Sequence, residues 1–202
     1  MSDKKPVVVY GASGYTGRLV CEFLRQYQVP FVAAGRNAER IQEVMDYLPG
    51  VETADYEVIA VENTVEALTE LFEGRKVVCN IVGPFERYGE PVVQAALAAG
   101  VHYIDTTGEP AFVEMVKIKY GAAFEEAGLV LAPCTAYMYT PADIGVQMLL
   151  EENDVDTFEV VTAGTFVPTF ASTQSIYSLF SHDARYLKHN KLESWPPAKG
   201  YD

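Results

Sequence analysis

Long apolar runs, paired cysteines and an excess of basic charge are all missing from this sequence of 202 residues. No stretch approaches the roughly 18 apolar residues of a membrane-spanning helix, and the first residues lack the apolar core of a signal peptide. The 15 basic and 28 acidic residues give a net charge of −13, which disfavours binding to nucleic acid or to an anionic membrane. These absences predict a cytoplasmic protein with neither nucleic-acid nor membrane partners.

Signatures of metal binding and of catalysis are equally sparse. The three cysteines, Cys21, Cys79 and Cys134, form no C-x-x-C pair, and the chain has only three histidines. Buried free thiols are therefore expected and a metal site is not. None of the 13 tyrosines has a lysine four residues later, so the tyrosine–lysine pair of short-chain dehydrogenases is missing. These patterns therefore identify no catalytic residue.

Short Val/Ile-rich runs alternate with amphipathic stretches along most of the chain, which predicts an α/β fold with a parallel sheet. Six strands are predicted at 7–10, 31–34, 56–61, 77–82, 102–105 and 129–133. Helices are predicted between them at 15–27, 38–48, 64–72, 91–99 and 110–126. Right-handed crossovers would give the strand order 3-2-1-4-5-6 of a doubly wound Rossmann sheet.

The remainder of the chain shows a less regular pattern. It predicts a helix at 141–151, a strand at 157–163, a helix at 174–187 and an extended tail at 194–202. A lone strand cannot bury its faces or pair its edges. Either the chain is therefore a fragment, or this strand pairs with the sheet edge or with another subunit. We expect an NAD(P)-binding Rossmann domain at 1–150 and, at 151–202, the incomplete start of a reduced second α/β domain for substrate binding or dimerisation.

The strongest functional signal lies in the turn between the first predicted strand and helix. Glycines at positions 11, 14 and 17 give the spacing G-x-x-G-x-x-G. Gly11 permits a tight turn, Gly14 admits a pyrophosphate close to the backbone, and Gly17 lets the helix approach the strand. Backbone N–H groups at the positive helix end would face the diphosphate, unless the turn is purely structural. The predicted phosphate-binding residues are Gly11, Ser13, Gly14, Tyr15, Thr16 and Gly17.

The residue that follows the second predicted strand indicates which nucleotide is bound. NAD enzymes usually place an acidic residue there to hold the ribose 2′-hydroxyl, but this sequence has Arg36, followed by Asn37. A guanidinium can pair with a 2′-phosphate, and Arg40, one helical turn on, could assist. The predicted cofactor is therefore NADP, with NAD disfavoured. The alternative is that Arg36 only solvates a loop.

The ends of two further strands complete the predicted cofactor site. The fourth predicted strand stops at Gly83 and Pro84, at the switch point of the sheet. Contacts to ribose or nicotinamide are therefore expected from Asn80 and from the turn that contains Val82, Gly83 and Pro84, although a plain turn is the alternative. Val61 and Glu62 end the third strand, and the same geometry predicts that they flank the adenine.

Three blocks of the sequence resemble the saccharopine dehydrogenase-like family of NADP-binding proteins. They are GASGYTGRLV at 11–20, VGPFERYGEPVVQAALAAGVHYIDTTGE at 82–109, and Pro-Ala-Asp at 141–143. The resemblance covers residues 6–150, with a weaker echo at 167–179. It implies a Rossmann domain followed by a mixed α/β domain that shapes the pocket for a small-molecule substrate and often forms a homodimer.

The same resemblance implies an oxidoreductase that moves hydride between NADPH and a carbonyl, imine or enoyl substrate. Polar residues near the expected nicotinamide end are candidates for substrate contact or proton transfer, with helix capping and packing as the alternatives. They are Tyr88, Glu90, Asp105, Thr106, Thr107, Glu109, Tyr137 and Tyr139. A noncatalytic NADP-binding sensor or scaffold is the main alternative, and a nucleotide-sugar or atypical short-chain enzyme is a weaker one.

Overall fold

The computed structural model describes residues 4–155, 159–161, 163–164, 167–181, 183–188 and 191–196. Its strands are β1 Val7–Tyr10, β2 Phe31–Gly35, β3 Tyr56–Ala60, β4 Val77–Asn80, β5 His102–Asp105, β6 Leu131–Ala132, β7 Ala184–Lys188 and β8 Lys191–Trp195. Its α-helices are α1 Tyr15–Gln26, α2 Ala38–Asp46, α3 Val65–Phe72, α4 Phe85–Tyr88, α5 Glu90–Ala99, α6 Pro110–Glu126, α7 Thr140–Glu152 and α8 Phe170–Leu179.

Six parallel strands form one sheet in the order β3-β2-β1-β4-β5-β6, which confirms the predicted doubly wound topology. Alternate residues of β1 enter different cores, as the two-residue period of a strand requires. Val8 and Tyr10 pack with side chains of α3, α5 and α6. Val9 packs on the opposite face with Cys21 of α1 and Ile41 of α2. Helices on both faces explain why the strands are almost continuously apolar.

The fourth and sixth strands end earlier than predicted because backbone N–H groups beyond their last residues donate to polar side chains and not to a neighbouring strand. Strand β4 ends at Asn80, whose side-chain oxygen accepts a hydrogen bond from the N–H of Val82 at 3.0 Å. Strand β6 ends at Ala132, and the next N–H beyond Pro133, that of Cys134, donates to the carboxylate of Asp105 at 3.0 Å. Each chain segment therefore leaves the ladder of backbone hydrogen bonds early.

The predictions for the last fifty residues are largely wrong. In place of a helix at 174–187, helix α8 ends at Leu179 and the chain continues into β7, which pairs antiparallel with β8. The predicted tail at 194–202 begins inside β8, and residues 197–202 lie outside the described residues. The predicted strand at 157–163 lies partly outside the described residues, and its described members carry no strand. The two strands of the hairpin, β7 and β8, pair with each other, and this pairing stabilises a strand in a segment that was predicted to be helical.

Helix α7 carries its apolar side chains largely exposed. Ile144, Met148 and Leu149 are 53%, 63% and 51% exposed, and Phe170, the first residue of α8, is 82% exposed. None of the described residues of α7 is buried. Among the described residues, no helix has both the length and the apolar character needed to cross a membrane. This face of the chain therefore contributes little to the core of the sheet.

Candidate dinucleotide-binding site

The glycine turn after β1 brings helix α1 very close to the preceding backbone. Gly11 has a φ of +98°, and its N–H donates to the carbonyl of Ala34 at 2.8 Å. A Cβ on Gly17 would lie 2.2 Å from the carbonyl oxygen of Gly11. Only glycine therefore fits at position 17, and the close approach of helix and turn that the spacing predicts is present.

The amino terminus of α1 offers the features of a phosphate-binding helix end. Gly14 is the N-cap, and the first turn has no side-chain cap and no acidic residue. A Cβ on Gly14 would meet just one atom within 4 Å, the Gly11 carbonyl oxygen at 3.3 Å, so the outer side of Gly14 is open to a ligand. Tyr15 and Thr16 are exposed and Ser13 is half-buried. This arrangement fits a diphosphate held by backbone N–H groups.

Arg36 follows β2 directly and is exposed at the same edge of the sheet. Among the described residues, its guanidinium has no hydrogen-bond or ion-pair partner, and Arg40 is exposed one turn later. Asn37 has a structural task, because its side-chain oxygen caps α2 by accepting from the N–H of Arg40 at 2.8 Å. Arg36 therefore places a positive charge at this strand end that no described residue neutralises by an ion pair.

The turn after β4 lies against the glycine turn. A Cβ on Gly11 would come within 2.9 Å of Cγ2 of Val82, so the two turns contact each other directly. Asn80 is buried, accepts from the N–H of Val82, and donates to the hydroxyl of Tyr103 at 3.1 Å. Val82, Gly83 and Pro84 are half-buried at the surface of this turn. The buried side chain of Asn80 thus stabilises the turn after β4.

A buried carboxylate joins the loops that follow β5 and β6. Oδ1 of Asp105 accepts from the N–H groups of Thr107 at 2.9 Å and Cys134 at 3.0 Å, and Oδ2 accepts from the hydroxyl of Tyr103 at 2.7 Å. Through Tyr103 and Asn80 the network continues to the β4 turn. Burial raises the pKa of Asp105 above the usual range of a carboxyl, although its hydrogen bonds act in the opposite direction.

Glu109 caps a helix, but not the one that it precedes. Its buried carboxylate accepts from the N–H groups of Phe85 at 3.1 Å and Glu86 at 2.8 Å, at the start of α4. It also accepts from the hydroxyl of Ser175 in α8. Thr107 accepts from the N–H of Glu109 at 3.1 Å. The capping alternative is therefore right in kind, but the capped helix is α4 and not α6.

A second polar link, through Asn63, joins the end of β1 to helix α4 and is not predicted from the sequence. The hydroxyl of Tyr10 donates to the side-chain oxygen of Asn63 at 3.2 Å, and the amide of Asn63 donates to the carbonyl of Tyr88 at 3.2 Å. Asn63 thus fixes the loop that begins at Val61, whose N–H donates to the carbonyl of Gly35 at 2.8 Å. No local motif marks either Asn63 or Ser175, because their partners are far away in the sequence.

The remaining polar candidates have different surroundings. Glu90 accepts from Lys119 at 3.0 Å and Tyr120 at 2.7 Å, so it starts α5 and links it to α6. Thr106 is half-buried, whereas Tyr137 is 74% exposed. The phenol of Tyr139 lies against Gly108, where a Cβ would come within 2.8 Å of the hydroxyl.

All three cysteines are free thiols: Cys21 and Cys79 are buried, and Cys134 is half-buried. Burial raises the pKa of Cys21 and Cys79 to about 12 and that of Cys134 to about 11, so all three stay protonated at neutral pH. The described residues contain no group of three or more candidate metal ligands.

A helix end suited to phosphate, placed at the switch point of a six-stranded parallel sheet, defines a dinucleotide-binding protein of the Rossmann type. The chain belongs to the family described as the saccharopine dehydrogenase NADP binding domain, whose model matches residues 7–131. The predicted fold, family and NADP cofactor are therefore confirmed.

Relatives of known sequence and structure agree with this assignment. A lipid droplet localized protein of Caenorhabditis elegans is 35% identical over 78% of this chain and 40% of its own length. A saccharopine dehydrogenase-like oxidoreductase of Mus musculus is 34% identical over 72% of this chain and 38% of its own. Apo saccharopine dehydrogenase (L-Glu forming) from Saccharomyces cerevisiae shares the fold, with a TM-score of 0.60 and 15% identity over 95% of this chain and 44% of that one. The chain thus spans about 40% of the length of these curated relatives.

The comparisons contradict the prediction of a cytoplasmic protein. One relative is named for lipid droplets. Another, from Arabidopsis thaliana, is named a probable mitochondrial saccharopine dehydrogenase-like oxidoreductase, with 30% identity over 69% of this chain and 33% of its own length. Net charge and the lack of a long apolar run do not determine a compartment.

Replacing Asp105 by Ala should destabilise the fold by about 1–3 kcal/mol, because the hydroxyl of Tyr103 and the N–H groups of Thr107 and Cys134 then lack their acceptor. The loss should be larger in acid, near the ordinary pKa of an aspartate, than at neutral pH. Because the folded-state pKa of Asp105 is raised, its stabilising contribution is present at low pH and declines as the pH rises through that value.

Urea unfolding at both pH values measures this effect. The exposed Asp143 of α7 provides the control, since Asp143→Ala should change the free energy of unfolding by less than about 0.5 kcal/mol. Equal stability of the Asp105→Ala variant and the wild type would show that the network does not hold these loops.

Proposed function

We propose that this chain binds NADP across the carboxyl edge of its sheet and is the cofactor-binding part of an oxidoreductase. The reaction is hydride transfer between NADPH and a carbonyl, imine or enoyl substrate. The observation that carries this proposal is Arg36, which is exposed at the end of β2 without a hydrogen-bond or ion-pair partner among the described residues, together with the open helix end at Gly14. A cation there complements the 2′-phosphate that distinguishes NADP from NAD.

Each part of the cofactor has a counterpart in the described residues. Backbone N–H groups of the turn from Ser13 to Thr16 would hold the diphosphate at the positive end of α1. Arg36 would pair with the 2′-phosphate, and Val61 would flank the adenine. The β4 turn of Val82, Gly83 and Pro84 would contact ribose or nicotinamide. NADPH supplies the hydride, while the protein supplies binding and orientation.

The buried acids of this edge are proposed to position loops and not to move protons. Asp105 and Glu109 each accept three hydrogen bonds within the chain, most of them from backbone N–H groups. This internal use of the acids favours, as a second candidate, a noncatalytic NADP-binding sensor or scaffold.

We also propose that residues 1–150 form the cofactor-binding domain and that residues 151–202 belong to a substrate or dimerisation domain. The exposed apolar side chains of α7 support a homodimer formed through the carboxyl-terminal segment. Burying such side chains between two copies would remove apolar surface from water.

Arg36→Ala should weaken NADPH binding by about 1–3 kcal/mol and leave NADH binding nearly unchanged, because only NADPH carries the 2′-phosphate. Titration calorimetry with both nucleotides measures the two affinities. Lys117→Ala removes the same charge from an exposed position on α6 and should change neither affinity. Loss of both nucleotides to the same extent in Arg36→Ala would place the 2′-phosphate elsewhere.

Turnover separates the enzyme from the binding module. Loss of NADPH absorbance should follow the addition of at least one member of a panel of ketones, cyclic imines and enoyl thioesters. Tight NADPH binding with no consumption across the panel would instead support the noncatalytic module.

Met148→Glu should convert the proposed dimer to monomer, because it places a charge in the exposed apolar face of α7. Sedimentation velocity at several protein concentrations measures the change. Glu151→Gln, an exposed change on the same helix, serves as the control and should remain dimeric. A wild-type chain that sediments as a monomer at every concentration would contradict the dimer.

A further inference from the structure

Two exposed residues of opposite charge, Arg36 and Glu62, follow the carboxyl ends of neighbouring strands. Strands β2 and β3 run parallel, and Gly35 pairs with Ala60 at the end of both. The N–H of Val61 still donates to the carbonyl of Gly35 at 2.8 Å, so the strands stay together to that point. Arg36 is the first residue after β2, and Glu62 is the second residue after β3. Both side chains are exposed and begin from adjacent positions of the edge.

Both charges act on a single buried hydroxyl, that of Tyr10 at the end of β1. Burial raises the pKa of Tyr10 to about 12, while the positive charge of Arg36 lowers it and the negative charge of Glu62 raises it further. Arg36 and Glu62 therefore both follow strand ends at the carboxyl edge of the sheet, where β1 also ends. The cofactor site of the proposed function occupies this region.

The backbone of Glu62 is held in place although its side chain is exposed. The next residue, Asn63, accepts from the hydroxyl of Tyr10 at 3.2 Å and donates to the carbonyl of Tyr88 at 3.2 Å. In the part of the chain that the structure describes, neither Glu62 nor Arg36 forms an ion pair or a hydrogen bond through its side chain. The backbone of Glu62 is thus held at the strand end that neighbours that of Arg36, and the two side chains form no ion pair within the described residues.

We propose that Glu62 is a second determinant of nucleotide specificity, which opposes Arg36 and limits the preference of this site for NADPH over NADH. The inference rests on the proposed placement of the 2′-phosphate at Arg36. That phosphate carries close to two negative charges at neutral pH, as phosphate monoesters do, and a nearby carboxylate repels it. NADH has a neutral 2′-hydroxyl in the same position, and this hydroxyl can donate a hydrogen bond to a carboxylate.

The test compares NADPH and NADH affinities of the wild type with those of Glu62→Gln, measured by titration calorimetry. Removing the charge should raise the ratio of the NADH to the NADPH dissociation constant by about 3- to 10-fold, the size expected for charges separated by partly solvated surface. Tighter NADPH binding, weaker NADH binding or both would produce this change. The effect should shrink as salt is added, because salt screens exposed charges.

Glu66→Gln is the matched control. Glu66 is also exposed, lies in the first turn of α3, and loses the same charge without standing at a strand end. Its ratio of dissociation constants should stay within about 2-fold of the wild-type ratio, since a Debye length at physiological salt is about 8 Å. An equal shift in both variants would show a general field effect and overturn the proposal.

Failure of this inference can be told from failure of the proposed function. If Arg36→Ala loses NADPH selectively while Glu62→Gln leaves the ratio unchanged, the 2′-phosphate is correctly placed and the role of Glu62 is wrong. If Arg36→Ala has no selective effect, or the wild type does not bind NADPH, the cofactor placement fails and this inference fails with it. Substrate turnover enters neither result.

Discussion

Helix α1 passes so close to the turn before it that a Cβ on Gly17 would lie 2.2 Å from the carbonyl of Gly11 and 2.8 Å from Cα of Ala12. This contact fixes the direction of α1, and therefore the direction in which its uncapped N–H groups point. Gly11 in turn contacts Val82, which sets the distance between the glycine turn and the β4 turn. These contacts set the shape of the proposed cofactor site, because a diphosphate is recognised by backbone N–H groups and by the positive end of a helix.

The other half of the edge is held by buried polar side chains. Asp105, Glu109 and Asn80 are fully buried, and such groups are tolerated in a core only when they are hydrogen-bonded. Most of their partners are backbone N–H groups, which lie in the loops after β4, β5 and β6 and at the start of α4. Carboxylates near a cofactor suggest acid–base catalysis, but here their hydrogen-bonding capacity is used to hold three loops and a short helix. By contrast, the charges of Arg36 and Glu62, which follow neighbouring strand ends, are exposed.

Sequence reasoning succeeded where local pattern and topology agree. The six strands, their order and most helix boundaries followed from apolar periodicity, because the central strands β1, β2 and β4 are buried on both faces and the crossover helices on one. It failed for residues 174–187, where the helical pattern was extended through a segment that pairs as a hairpin with residues beyond it. Pairing energy between strands overrode local propensity there. The compartment was also predicted wrongly, since charge and hydropathy do not encode an address.

By itself the sequence determined the glycine turn, Arg36 after β2 and the NADP-binding fold, because these features are contiguous in the chain and depend on backbone conformation and periodicity. Tertiary structure alone decided what the polar residues of the edge do. Glu109 caps a helix 24 residues earlier in the chain and bonds Ser175, 66 residues later. Asn63 joins β1 to α4 through two hydrogen bonds. The pairing of β2 with β3 places Arg36 and Glu62 after neighbouring strand ends. Such partners are chosen by the packing of the sheet, and no local spacing records them.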